Sequence, residues 1–214
     1  AHDASIDGTK MGTFGRWGSF SFYPTKNMSS LEGGMITTRD EGVYHRSRLL
    51  RNQGMERQYA NELVGLNNRL TDVGAAVGRV QLTKLAGWTK QRQENAAFLN
   101  EGLAGVEGVV TPFVPEGYRH VYHQYTIRFE GASASEREEL QKALREQWQV
   151  GSGVYYPIPN HRLDSLTKYA PGLELPVTEK AARECLSLPV HPSLSQADLE
   201  RIVEAVAAVV KAGA

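Results

Sequence analysis

The sequence predicts a mixed α/β chain that closes in a smaller α+β domain, and three observations carry the prediction. Short runs that alternate apolar with polar residues, rich in aromatic and β-branched side chains, mark strands at 19–23 and 120–130. Between them Val73, Val77, Val80, Leu82, Leu85, Trp88, Phe98 and Leu103 draw an intermittent apolar face along one long helix. Beyond residue 105 the patterns run strand, helix, strand, helix, helix, an order suited to an α+β unit.

Each element has its own local signal. Residues 1–18 are loop-like, punctuated by Gly8, Gly12, Gly15 and Gly18. The strand at 19–23 leads through a loop to a second apolar strand at 34–38, GMITT. Asp40 is placed to cap a helix that closes on Gly54. Residues 55–70 are polar and rich in asparagine, without periodicity, and read as an extended surface loop. Thr71 and Asp72 then open the long helix, whose AAVG stretch at 75–78 allows another element to approach closely; Gly102 and Gly105 end it. Ser135 starts the next helix, which stops at Gly151. Residues 153–161, GVYYPIPNH, read as a strand running into a proline-bounded loop. VTEKAARECLSL reads as a helix capped by Thr178, and Ser195 caps the last helix. There are no internal repeats and no low-complexity segments.

The totals bound the function. The chain has 214 residues, enough for one large domain or two small ones with a real core. Its 24 basic and 24 acidic side chains cancel. Nucleic acid or an anionic membrane would select a clustered basic excess, so neither is the expected partner. Hydrophobic residues make up 41% and charged residues 22%, the balance of a soluble globular protein. A single cysteine, Cys185, excludes an internal disulfide and a multi-cysteine metal site, and fits a reducing cytoplasm. No apolar run approaches the roughly 18–20 residues of a membrane span, and no basic-then-apolar signal segment opens the sequence.

The stretch SFSFYPTKN at 19–27 starts as a buried-looking strand and ends on a cation just past a proline. A lysine in a turn is ordinarily a solvated surface group. Here the preceding strand is aromatic, which encloses the stem. The surroundings are small or hydroxylated: Ser19, Ser21, Thr25, Asn27, Ser29, Ser30, Gly33 and Gly34. Hydroxyls and free N–H groups in loops make a nest for a phosphate. A partly desolvated lysine beside an anion site is the arrangement of a Schiff-base lysine. A triphosphate-binding loop would need G-x-x-x-x-G-K-[ST] ahead of a helix, whereas Lys26 is followed by Asn27 and its glycines come later.

The segment FSFYPTKNMSSLEGGMITT resembles the lysine segment of the DegT/DnrJ/EryC1/StrS family, pyridoxal-phosphate-dependent sugar aminotransferases of fold type I. GLNNRLTDVGAAVGRVQLTKL resembles that family's G-x-N-x-R-[ML]-x-[DE]-x-x-AA-x-G-x-x-QL signature. HVYHQYTIR resembles its small-domain strand, GVYYPIPNH its Y-P-x-P-x-H loop, and CLSLPVHPSLS its S-L-P-x-H-P-x-L turn. The motifs occur in the family's order and span essentially the whole chain.

The resemblance implies an α/β chain that is the C-terminal part of such an enzyme: residues 1–105 as the end of the large cofactor domain with a long connecting helix, and 106–214 as a small α+β domain. It implies Lys26 as the residue that forms the internal aldimine with pyridoxal 5'-phosphate and then carries the proton between Cα and C4′. Ser21 falls on the family serine that binds the cofactor phosphate, its bland alternative being a strand hydroxyl paired with a neighbour. Asn67 falls on the asparagine that reaches the partner subunit's cofactor phosphate, which implies a homodimer; the alternative is a left-handed turn residue. Arg69 is either a second anion contact or an interface ion pair. Tyr156 and His161, in the Y-P-x-P-x-H loop, are implied substrate contacts or plain loop residues. His120, His123 and His191 read as structural rather than metal-binding, and Glu32 receives no chemistry. The aspartate that pairs with the pyridine nitrogen in the family precedes the residues at which this sequence opens, so neither Asp3 nor Asp7 takes that role.

The implied activity is transfer of an amino group from glutamate or glutamine to a keto sugar nucleotide in the cytoplasm. Two alternatives stand beside it. One is a truncated chain that only binds or assembles with a partner. The other is a pyridoxal-phosphate-dependent sugar dehydratase of the same family, disfavoured because that branch typically carries histidine where Lys26 stands.

Overall fold

The structure is a computed structural model that describes residues 2–213. In chain order it contains β1 (Ser5–Ile6), β2 (Thr9–Lys10), β3 (Trp17–Ser21), β4 (Gly34–Thr38), α1 (Glu41–Arg51), β5 (Met55–Arg57), β6 (Ala60–Asn61), α2 (Asp72–Leu103), β7 (Val109–Val110), β8 (Tyr118–Arg119), β9 (Tyr125–Phe129), α3 (Ala134–Trp148), α4 (Pro176–Glu184), β10 (Cys185–Leu188) and α5 (Gln196–Gly213). Contacts divide the chain into two compact units, Ala1–Lys90 with Val114–His123, and Gln91–Phe113 with Gln124–Ala214. Among the described residues no helix is long and apolar enough to cross a membrane.

In the first unit the Ser-Phe-Ser-Phe alternation builds β3, which pairs antiparallel with β4 from Trp17↔Thr38 to Ser21↔Gly34. The connecting segment folds back on itself, with Phe22 N–H donating to Gly33 O at 2.8 Å and Ser30 N–H to Phe22 O at 3.1 Å. Phe22, Met28 and Leu85 of α2 bury together, with Phe20 packed against them. Asp40 caps α1 by accepting from Val43 N–H at 2.9 Å, and its other carboxylate oxygen takes Arg16 Nε at 2.7 Å. A small sheet in the order β2-β1-β8 completes the unit, tied by Asp3 to both Lys10 and Arg119. Trp17, Met35 and Ile36 on β3 and β4, and Tyr59, Val64 and Leu66 after α1, are large apolar side chains left exposed.

Residues 55–70, expected as a loop, contain the β5–β6 hairpin and then lie across the C-terminal end of α1. Gln53 N–H donates to Leu66 O and Leu66 N–H to Leu50 O, both at 2.7 Å, and Glu62 N–H donates to Gly54 O at 2.8 Å. The Leu50 carbonyl, in the last turn of α1, is thereby satisfied. The crossing demands glycine twice: Gly54 has φ 75°, and a Cβ there would fall 1.7 Å from Leu63 O, while one on Gly65 would fall 2.3 Å from Gly54 N.

The second unit is an antiparallel sheet in the order β10-β9-β7 with helices packed on it. Tyr125, Ile127 and Phe129 alternate inward along β9, and β10 is buried throughout. Leu99 and Leu103 of α2, Leu144 of α3 and Val206 of α5 bury fully with them. Glu184, 1% exposed, receives Arg128 Nη1 at 2.6 Å and Gly131 N–H at 2.9 Å. Cys185 is buried beside it, and burial pushes its thiol pKa up.

Four local expectations change. CLSL is strand β10 rather than the end of a helix. A fully buried strand has no polar alternation to separate it from the helix before it. Helix α4 starts at Pro176, whose fixed φ suits a first helical position, and Thr178 lies inside it. Helix α3 is capped by Ser133 rather than Ser135, through a reciprocal pair in which Ser133 Oγ accepts from Glu136 N–H and Glu136 accepts from Ser133 N–H. Residues 153–161 make only a single bridge, Gly153 with Ser187, because the prolines at 157 and 159 lack the N–H a ladder needs.

Candidate functional site

Lys26 closes a four-residue turn. Its backbone N–H donates to Tyr23 O at 2.9 Å, and Pro24 occupies the second position, where its fixed φ presets the bend. Asn27 Nδ2 donates to Val121 O at 2.8 Å and Met28 is in the buried cluster, so the backbone around the lysine is held on both sides. The lysine itself is half-buried. Among the described residues its Nζ has no hydrogen-bond or ion-pair partner.

His2 joins this turn. Its ring stacks near-parallel on Phe20 at 5.8 Å and Phe22 at 5.6 Å. Burial first, and the nearby Lys26 cation as well, hold its pKa below the usual histidine value, although a hydrogen bond to the Ser21 backbone opposes them. Its buried Nε2 has no partner; neither has the buried Oδ1 of Asn27. Buried polar atoms without partners are uncommon and mark a place for a missing group. With one ring nitrogen of His2 on the Ser21 backbone, Nε2 offers a lone pair, as does Asn27 Oδ1. The turn thus carries a half-exposed amine, with two buried acceptor atoms nearby in the chain's fold.

Ser21 ends β3. Its Oγ accepts from Tyr23 N–H at 3.3 Å, which leaves its own hydrogen to donate. Ser29 and Ser30 serve the loop itself: Ser29 Oγ accepts from Leu31 N–H, and Ser30 Oγ donates to Glu32 O. Asp3 is engaged with Lys10 and Arg119; burial pushes its carboxyl up, and the two cations pull it further down.

Asn67 and Arg69 are exposed on the segment laid across α1. Arg69 shares a cavity of about 370 Å³ with His45, Arg48 and Arg51 of α1 and with Glu56. Among the described residues none of the three arginines has an ion-pair partner. Three guanidiniums facing one carboxylate make an anion-binding surface.

Tyr156 and His161 belong to the second unit. Tyr156 is 73% exposed. His161 is enclosed, its Nε2 2.8 Å from Glu179 Oε1, and Arg162 Nη2 reaches the same oxygen at 2.7 Å. These hydrogen bonds, that of His161 foremost, lower the Glu179 pKa from 4.5 to about 2. A carboxyl whose folded pKa is depressed stabilises the fold fully above its unfolded pKa and loses that contribution as pH falls through the folded value. The thermal midpoint of the wild-type protein is therefore expected to exceed that of Glu179→Gln near pH 6, and the gap to close between pH 4.5 and about 2. A gap constant over that range, followed by calorimetry, contradicts the ion-pair account.

The chain thus gathers Ser21, Lys26, His2 and Asn27 at one turn and Arg69 with α1, while Tyr156 and His161 stand in the other unit. Sequence reasoning missed His2 and counted Asn27 only among the small residues around the lysine; tertiary burial sets both apart. It also missed His45, Arg48 and Arg51, whose spacing of three along a helix was a readable signal. Among the described residues no cluster of His, Cys, Asp or Glu gathers as metal ligands.

The fold defines the class first: it is that of the fold type I sugar aminotransferases. The structure is similar to that of Streptomyces venezuelae DesV, solved in complex with a ketimine intermediate, with TM-score 0.91 and 34% identity, covering 99% of this chain and 56% of that one. Residues 1–207 match the DegT/DnrJ/EryC1/StrS aminotransferase family, and the chain belongs to it. A pleiotropic regulatory protein of Geobacillus stearothermophilus is 39% identical over 209 residues, 95% of this chain and 54% of its own length. The dTDP-3-amino-3,4,6-trideoxy-alpha-D-glucose transaminase of Streptomyces venezuelae is 35% identical over 208 residues, 96% of this chain and 53% of its own. The chain spans about half the length of the curated relatives it matches.

Proposed function

We propose that this chain is the lysine-bearing part of a pyridoxal-phosphate-dependent aminotransferase that passes an amino group from glutamate or glutamine to a keto group on a nucleotide-linked sugar. One observation carries the reading: a half-buried, unpartnered lysine amine on a turn beside two orphaned acceptors, His2 Nε2 and Asn27 Oδ1. These residues fit the cofactor, with an amine for its aldehyde, acceptors for its polar edge and the Ser21 hydroxyl for its phosphate. When bound, pyridoxal phosphate supplies the electron sink for carbanion chemistry at the carbon that bears the amino group.

Lys26 Nζ is the amine that anchors the cofactor aldehyde and, once released, the base and acid that moves the proton. His2 Nε2 accepts from a hydroxyl and fixes the cofactor's orientation. Asn67 offers an uncharged N–H₂ donor to a phosphate of the partner subunit's site in an isologous homodimer. The exposed Tyr59, Val64 and Leu66 on the same stretch support such an interface. Arg69, with Arg48, Arg51 and His45, receives a diphosphate, and in the second unit Tyr156 and His161 are substrate contacts. In this reading residues 1–105 complete a cofactor domain and 106–214 form the small domain.

Borohydride reduction of the cofactor-loaded full-length protein, followed by peptide mass spectrometry, tests the assignment. A phosphopyridoxyl group on Lys26 is the expected result, and a label on another lysine overturns it.

A further inference from the structure

Residues 153–162 form a strap fixed at both ends. At its start Gly153 N–H donates to Ser187 O at 3.0 Å and Ser187 N–H to Gly153 O at 2.7 Å. At its end the 3₁₀ turn Asn160–Arg162 presents two side chains to one carboxylate oxygen. His161 Nε2 lies 2.8 Å from Glu179 Oε1, and Arg162 Nε and Nη2 reach it at 3.0 and 2.7 Å. Glu179 stands in the first turn of α4, where it also takes Leu175 N–H at 3.4 Å and meets the positive end of the helix.

Between the anchors Tyr155, Tyr156 and Ile158 are exposed, the two rings edge to face at 6.1 Å. A loop pinned at both ends has surrendered its conformational freedom before any ligand arrives, so its contact surface is preorganised. The charge on the strap is spent as well, since both of its basic side chains are committed to Glu179. What remains exposed is the two tyrosine rings and Ile158, which suit the apolar face of a neutral sugar ring rather than a phosphate.

We infer that Glu179 is a positioning residue: by gathering His161 and Arg162 on one oxygen it holds Tyr155–Ile158 in the pose that receives the sugar of a nucleotide-linked substrate. The inference rests on the function proposed above. The tyrosine rings meet the apolar face of the pyranose.

The test uses the full-length protein loaded with pyridoxal phosphate and the variant Glu179→Gln, which keeps the shape and removes the charge. Titration calorimetry with dTDP-glucose and UDP-N-acetylglucosamine, against dTDP and UDP alone, separates the sugar contact from the diphosphate contact. Absorbance during the half-reaction with glutamate reports on the cofactor side. The expected result is a roughly tenfold or greater rise in Kd for whichever nucleotide sugar the wild type binds, the scale of a misplaced contact group. The free nucleotides and the glutamate half-reaction should stay within about twofold. Arg162→Gln, which removes the other arm, should move the same affinity in the same direction, and the double variant should be no worse than the worse single one.

Unchanged nucleotide-sugar affinity overturns the inference, as does a parallel loss of nucleotide binding and glutamate reaction, which marks a merely structural role. If the wild type neither reacts with glutamate nor binds either probe, the aminotransferase reading fails and this inference goes with it. If the wild type does both and Glu179→Gln matches it, only this inference fails.

Discussion

Lys26→Ala is expected to leave the full-length protein folded and unable to turn over. In the function proposed above Lys26 is both the acid–base group, whose loss alone lowers a rate by about 10²–10⁴-fold, and the covalent anchor, whose removal adds to that. The fold should notice little. The amine has no partner among the described residues, and the backbone turn is held by Pro24, Tyr23 O and the Asn27 side chain. Thermal stability should therefore stay within about 0.5 kcal/mol of wild type. Product formation by mass spectrometry and the visible absorbance of the lysine-bound cofactor read the two losses separately. A variant that retained either would show that another amine does the work.

Gly54→Ala is expected to be the most damaging single methyl group in the first unit. The residue sits at φ 75°, which costs a non-glycine residue about 1–2 kcal/mol. The added Cβ would also lie 1.7 Å from a backbone oxygen, Leu63 O, which no rotamer change can relieve. Overpacking of this kind costs roughly 1–3 kcal/mol more. The urea midpoint should fall by the equivalent of about 2–5 kcal/mol, and diphosphate binding should weaken with it. The segment displaced is the one that carries Asn67 and Arg69. A shift below about 1 kcal/mol would mean that the crossing relaxes freely.

Local chemistry was legible in the sequence where it was self-contained. Asp40 caps α1 and Thr71 opens α2 because each signal needs only three or four consecutive residues. The alternation around Phe20 and Phe22 gave β3 for the same reason. What escaped depends on distant partners. The β5–β6 hairpin is polar and short, and it is held by α1 rather than by its own pattern. Strand β10 is apolar on both faces because it is buried on both, so it merged with the preceding helix. At the candidate site Lys26 stood out through its neighbours, and Ser21 through the family resemblance. His2 did not, since its significance lies in two phenylalanine rings almost twenty residues away and in a nitrogen left without a partner. Glu179 was invisible for a similar reason, being an ordinary glutamate in a helix until His161 and Arg162 arrive on it.

The thiol of Cys185 has a practical consequence. It opens strand β10, opposite Arg128 of β9, and it is shielded from solvent and from ionisation alike. An alkylating reagent can reach it only while that sheet is open. As this chain holds no other sulfhydryl, its labelling rate works as a clock on the breathing of the second unit, with no engineered probe required.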